Sequence, residues 1–200
     1  MKSKTAVKIP LAFVAVLLIA AFIRIAYVNI TATKPLVEYS KMNEWVELDG
    51  SFFRSNDEKT DGYSVKVTDY EIISKEDFLE GYKLESTSIS EANSFSYFMV
   101  VSVTFMNEGN EDGKVMIADW RLVGKNGDFV TSMDPQILMD TDERIHDYLS
   151  SVTTAPGKEI SLNLTFPMTS MKSKEEIEKN SVYRLAVTKY PVRKYIELEK

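Results

Sequence analysis

The residues whose types invite chemistry gather around one histidine. His146 stands in a run with Asp140, Asp142, Glu143 and Asp147, the side chains that would hold a divalent cation. Zinc takes several His or Cys ligands, whereas the chain has one His and no Cys. For calcium, the run beginning at Asp140 opens like an EF-hand loop, but it lacks the glycine at the sixth place and the spaced terminal Glu. A solvated acidic face accounts for the run with fewer assumptions, and a polar hairpin loop does the same for Asn110, Glu111 and Asp112. A Ser-His-Asp nucleophile would have to recruit His146, and no G-x-S-x-G elbow supports one. Among 30 acidic residues, carboxylate pairs suited to glycoside hydrolysis always exist on paper; the deciding separation is spatial. No catalytic residue, metal ligand or cofactor is therefore assigned, and the chain is expected not to be an enzyme. A carboxylate- or metal-dependent hydrolase stays as an alternative.

The elements that would position any site are mostly strands. Phe95, Tyr97, Met99, Val101, Val103 and Phe105 recur at period two over residues 94–106, which predicts a strand with these side chains on one face. Phe98 and Val100 on the other face suggest that the strand is central. Strands are also predicted over 63–73, with a bulge near Thr68 and Asp69 where the apolar phase changes, and over 114–123, with Met116, Ala118, Trp120 and Leu122 inward. Ile160, Leu162, Leu164 and Phe166 mark a half-buried strand, Tyr183, Leu185 and Val187 another, and 192–198 a last one. Trp120 and the aromatic row are assigned to the core rather than to a ligand groove. Asp134 and Pro135 are an N-cap and a helix-compatible proline, so 136–149 is read as helix or irregular connection. Residues 76–82 are read as one helical turn or a connecting loop, and a short charged helix is expected over 173–180. Gly124-Lys125-Asn126-Gly127 and Ala155-Pro156-Gly157 supply turn chemistry. Seven to nine strands point to an antiparallel sandwich.

Location is written at the N-terminus. Residues 9–28 form a twenty-residue apolar run broken by one charge, about 30 Å long as a helix, the thickness of a bilayer core. Ile9, Leu17, Leu18, Ile19, Phe22 and Val28 are typical of it, and Pro10 falls in the first turn, where its missing N–H breaks no bond. The twelve Leu, Ile, Val and Phe residues of the run favour insertion by about 4 to 7 kcal/mol. Arg24 opposes it by about 3 kcal/mol at mid-membrane, less where it snorkels from near the Val28 end. Lys2, Lys4 and Lys8 precede the run and no acid does, so the N-terminus is expected in the cytoplasm and everything beyond the run outside the cell. The resulting division is a cytoplasmic N-terminus over 1–8, a transmembrane signal-anchor helix over 9–28, a stalk over 29–43 and an extracytoplasmic domain over 44–200. The alternative is a cleaved signal peptide and a secreted soluble ligand-binder.

Composition agrees with a folded domain behind one membrane pass. Apolar residues make up 44% and charged residues 27% of 200, near the averages for globular chains. An exported domain without cysteine stands without disulfides, and a domain of this size buries enough surface to do so. The net charge is −6. Setting aside Lys2, Lys4, Lys8 and Arg24 leaves 20 basic residues against 30 acidic ones. Nucleic acid is therefore not an expected partner. Anionic envelope polymers or lipid headgroups would need bridging cations or a local basic patch.

The run FMVVSVTFMNEGNEDG, followed by ADWRLVGKNGDFV, APGKEISLNLTF and VYRLAV, resembles immunoglobulin-like extracytoplasmic domains of Gram-positive bacteria. NEWVELDGSFF and DGYSVKVTDYEI look like the same kind of anchored or secreted family of unknown function, and the resemblance extends over about residues 44–198. It implies a mainly β, immunoglobulin-like sandwich with short helical connections, preceded by one transmembrane helix. It carries no catalytic residue onto this chain. The expectation is a non-enzymatic cell-envelope protein that binds or scaffolds a protein or an envelope component.

Overall fold

The computed structural model describes residues 8–31, 36–84, 95–127, 129–145, 150–169, 174–179 and 182–199. The chain divides into two units, Met1–Lys34 and Pro35–Lys200. The first contains α1 (Lys8–Thr31), a helix of 24 residues, so the helix expected over 9–28 is present and runs a little further. Its Leu17, Leu18, Ile19, Phe22 and Val28 side chains are exposed. Among the described residues no helix is long and apolar enough to cross a membrane; the side chains of 8–12, 15 and 31 lie outside that description. The helix is thus found, and its passage through a bilayer is not shown.

The second unit is mainly β and sandwich-like. One sheet has the order β1 (Leu36–Lys41), β11 (Val192–Leu198), β10 (Tyr183–Ala186), β6 (Arg121–Gly124), β7 (Val130–Ser132). The other runs β2 (Val46–Glu47), β3 (Tyr63–Ser74), β4 (Phe95–Asn107), β9 (Lys158–Thr169). A small third sheet pairs β5 (Val115–Met116) with β8 (Ser151–Val152). Short helices α2 (Lys75–Tyr82), α3 (Pro135–Thr141) and α4 (Lys174–Lys179) occupy connections.

β4 forms the middle of its sheet because both of its edges are paired and both faces are apolar. It lies antiparallel to β3 and β9 over nearly its whole length. Met99, Val101, Val103 and Phe105 point into the main core, where Leu162, Leu164 and Phe166 of β9 meet Leu122, Leu185, Ile196 and Leu198 of the five-stranded sheet. Phe98 and Val100 point the other way, into a second cluster with Phe78 of α2 and Ile137 of α3. The phase change of β3 is a register shift between Val67 and Asp69. A second shift, between Phe95 and Tyr97, corrects the reading of one aromatic face: Phe95 joins the second cluster, 4.8 Å from the Phe98 ring, and Tyr97 is only partly buried against the main core. Period-two counting assumes an unbroken ladder, and a bulge resets the face.

Four other expectations change. The stretch assigned to a stalk over 29–43 includes β1, which pairs in parallel with β11, Leu36 opposite Val192 through Lys41 opposite Glu197. The partners lie more than 150 positions apart, so no local pattern announces the pairing. The sandwich is accordingly not wholly antiparallel. The strand expected over 114–123 is two strands in different sheets. Between them Trp120 N–H bonds Ile117 O and Ile117 N–H bonds Ser150 O, a turn that carries the chain from one sheet to another. Of 136–149, read as helix or irregular connection, the helix takes only the part up to Thr141, where the threonine hydroxyl bonds back to Ile137 O and Leu138 O; 146–149 lie outside the described residues.

A clasp of backbone and amide hydrogen bonds holds the loop before β3 against the loop after β4. Asn110 Nδ2 donates to Lys59 O and Asp61 O, while its Oδ1 accepts from the N–H groups of Asp112 and Gly113. Glu58, fully buried, caps its own 3-10 turn by accepting from Ser55 N–H, and also takes Arg54 N–H and Met116 N–H at 2.9 and 3.2 Å. Glu58→Ala should leave one buried and two part-buried backbone donors without their acceptor and lower stability by about 2 kcal/mol, some 6 °C in Tm, with Glu58→Gln recovering part of it. Thermal unfolding followed by circular dichroism checks this, and an unchanged Tm contradicts it. At Gly113 a Cβ would run into Lys59 O and the Asn110 amide. Gly113→Ala should therefore cost about 1 to 3 kcal/mol, measured in the same way.

Candidate functional site

The inner face of the five-stranded sheet is consumed by the core, so its outer face is what the sheet offers to solvent. Alternation along β11 buries Lys194, Ile196 and Leu198 and turns Arg193, Tyr195 and Glu197 outward. Cross-strand register then sets the neighbours: Tyr195 lies opposite Ala186, which lies opposite Arg121. Glu197 lies opposite Arg184, then Val123 and Val130 follow. Tyr39 of β1 stacks on Tyr195 at 5.5 Å between centroids, and the Arg184 guanidinium sits 4.5 Å over the Tyr39 ring.

A concavity of about 230 Å³ opens on this face. Arg121, Arg193 and Lys189 bring the positive charge to it, Phe53 and Tyr195 are aromatic walls, and Val123, Val130 and Ala186 supply apolar surface. Among the described residues no acidic side chain lines it. The nearby acids are engaged elsewhere: Glu197 takes both Arg184 Nε and Nη2, at 2.9 and 2.7 Å, and Asp119 pairs with Arg54 at 3.6 Å. Among the described residues Arg121 and Arg193 have no ion-pair partner. The Nε of Arg193 is closed off from solvent and has no hydrogen-bond partner. The Lys189 ammonium stands 5.1 Å from the Tyr190 ring. Thr188 is already used, its hydroxyl donating to Val192 O and accepting from Lys194 N–H. This arrangement has the donors to bind an anion.

Two other concavities are neutralised from within. One, about 340 Å³, contains Glu71, Glu178 and Lys174, with Lys174 and Glu178 3.9 Å apart. The other, about 240 Å³, contains Tyr82, Asp142, Arg144 and Asn163. The Arg144 guanidinium donates two hydrogen bonds to the Asp142 carboxylate, and these hold its pKa below the ordinary aspartate value while the Asp142 bonds raise that of Arg144. Buried Lys194 is likewise occupied: its Nζ donates to Glu47 O at 2.6 Å and Asp49 Oδ2 at 2.8 Å, with Glu38 at 3.5 Å.

The residues singled out for chemistry are not brought together. Asp142 is held by Arg144, Asp140 accepts from Gln136, and Glu143 is exposed; His146 and Asp147 lie outside the described residues. Among those described, no group of three or more His, Cys, Asp or Glu could hold a metal ion. Asn110 is the centre of the clasp, with its amide fully engaged. Trp120 is fully buried, 5.5 Å from Phe105. Of the residues assigned to the core, Val101, Val103, Phe105, Leu162, Leu164, Phe166 and Leu185 are buried in the main cluster. Arg24 belongs to α1 with the other residues assigned to the anchor, Ile9 and Pro10 included. Sequence reasoning missed Arg121, Lys189 and Arg193. The pattern VRKYIEL does place Arg193 and Tyr195 opposite Ile196 and Leu198, but joining them to Arg121 requires the register of three strands.

Comparison with known proteins places this geometry in a family without adding chemistry to it. Two solved structures are similar. The yjhA protein from Bacillus subtilis is 11% identical, with 80% of this chain and 99% of that one covered and a TM-score of 0.43. An uncharacterized beta-sandwich protein from Clostridium difficile 630 is 11% identical, with 84% and 99% covered and a TM-score of 0.38. At TM-scores below 0.5, neither carries an argument about activity. No curated protein matches. The family model described as "Domain of unknown function (DUF5028)" matches residues 37–194, nearly all of the β unit, and the chain belongs to that family.

Proposed function

We propose that this chain is a non-enzymatic cell-envelope protein, with α1 as a single-pass signal anchor, its N-terminus in the cytoplasm, and an immunoglobulin-like β unit outside that binds or scaffolds an anionic protein or envelope component. The anchor rests on composition: twenty residues over 9–28 with one charge, preceded by three lysines and no acid, on a helix of 24 residues or about 36 Å. The described side chains support it, because consecutive residues such as Leu17, Leu18 and Ile19 cover every direction around a helix and all are exposed. A helix apolar all round is unfavourable in water and suits a lipid surrounding.

The observation that carries the binding role is the outer face of the five-stranded sheet. Among the described residues Arg121 and Arg193 have no ion-pair partner, and they stand beside an aromatic and apolar concavity. Unpaired guanidinium groups over apolar surface are a recognition feature, since they bind planar oxyanions through two parallel hydrogen bonds.

Protease treatment of intact cells expressing the full chain tests the orientation. Epitopes downstream of Trp45 should be released or degraded while the first eight residues stay protected; full protection of the β unit in sealed cells refutes it. The intact mass of the mature protein decides whether the leader is kept, since a loss of about thirty residues would replace the anchored protein with the secreted one.

A further inference from the structure

The basic concavity has a chemistry more specific than attraction for negative charge. Three cationic side chains, Arg121, Lys189 and Arg193, line one space, and no acid lines it among the described residues. A monoanion leaves most of that charge uncompensated, whereas a phosphate monoester carries about −1.5 to −2 near neutral pH and three acceptor oxygens. The Arg193 Nε is one of five buried polar side-chain atoms without a hydrogen-bond partner among the described residues. It is cut off from solvent and bonded to nothing, although a buried charged donor without an acceptor is costly. Arg193 stands on β11, held between β1 and β10, so its backbone position is fixed by two strands.

Size and polarity narrow the ligand further. At about 230 Å³ the space is smaller than the roughly 300 to 1,000 Å³ of pockets for drug-sized molecules, and it suits one phosphate with a short arm. Phe53, Val130 and Tyr195 give the arm an apolar and aromatic lining. The Tyr195 ring is itself braced by the stacked Tyr39. We infer that this concavity is a binding site for a phosphate monoester bearing a small apolar or aromatic group, with Arg121 and Arg193 as the oxygen-binding forks and Lys189 as the third charge. The site deepens the envelope-binding reading by naming the ligand chemistry.

The test uses the full chain in detergent micelles, titrated with phenyl phosphate and followed by 15N NMR at the arginine Nε–H resonances. Phenyl phosphate should shift the Arg193 Nε–H signal with saturation. Arg121→Gln, an exposed strand substitution that leaves the core untouched, should weaken binding about tenfold, and Lys189→Gln several-fold, with folding checked by the amide spectrum. Inorganic phosphate and benzoate should each bind at least fivefold more weakly, and benzyl alcohol should leave the signal unmoved. An Arg193 signal indifferent to phenyl phosphate, or both variants binding like the parent, overturns the site. Benzoate binding equally well overturns the phosphate assignment, and inorganic phosphate binding equally well overturns the role of the apolar lining. Protease accessibility of the β unit reads the envelope role separately, so failure of the ligand with an exposed β unit removes only the ligand.

Discussion

The constraint on which the rest of this structure depends is that β4 must be covered on both faces. Its two edges are satisfied by β3 and β9, but no strand pairing hides its side chains. One face is closed by α2 and α3 through Phe78 and Ile137. The other needs a whole second sheet, and Leu122, Leu185, Ile196 and Leu198 meet it there. A sheet recruited in this way can bury only alternate residues of each strand. The outward set is left on the outer face as a direct consequence, with Arg121 exposed and Arg184, Arg193 and Tyr195 half-buried. The position of the basic face thus follows from the packing demand of a strand in the opposite sheet.

Buried charge marks the seams of the fold. Lys194 sits among inward positions of β11, where an aliphatic side chain would be expected, and its ammonium bonds Glu47 O and Asp49 while Glu38 approaches from β1. Glu58 plays the opposite part, with a carboxylate surrounded by backbone N–H donors from Arg54, Ser55 and Met116. A buried ion of this kind is not strong evidence for stability, because desolvation offsets the attraction. It is directional, however. Each fixes segments far apart in sequence, Glu47 to Lys194 and Glu58 to Met116, that apolar contact alone would leave free to slide.

How much of this was legible in the sequence depends on the range of the interaction. Local signals read well: the period-two run of β4 and of β9, the shift near Thr68, the Asp134 cap, and the Asn126-Gly127 turn, where Gly127 has φ +72°. What failed was mostly non-local. Leu36–Lys41 reads as a polar stalk because only its pairing with residues 192–197 makes it a strand. Phe95 was given the face of Val101 because a bulge leaves no mark in hydropathy when both faces are apolar. The acidic run at 140–147 drew attention as a cluster, yet the Asp142 carboxylate is claimed by Arg144, two residues away. The basic site was invisible for the same reason as β1: its members come from three places in the chain, and only strand register joins them.

Total charge and local charge answer different questions, and the distinction bears on what such a face can recognise. At physiological ionic strength fields decay over about 8 Å, so a ligand within the concavity responds to Arg121, Arg193 and Lys189 rather than to a net charge of −6. An extended polyanion would also lie along the surface outside the concavity, where the surplus of acids disfavours it. Binding of nucleic acid draws on the release of many counterions along a continuous basic track, and three cations confined to one small hollow do not form one. A compact anion with an apolar arm escapes this conflict. It is small enough to be screened from the acidic surroundings, and its arm gains from Phe53, Val130 and Tyr195 an attraction that salt does not weaken.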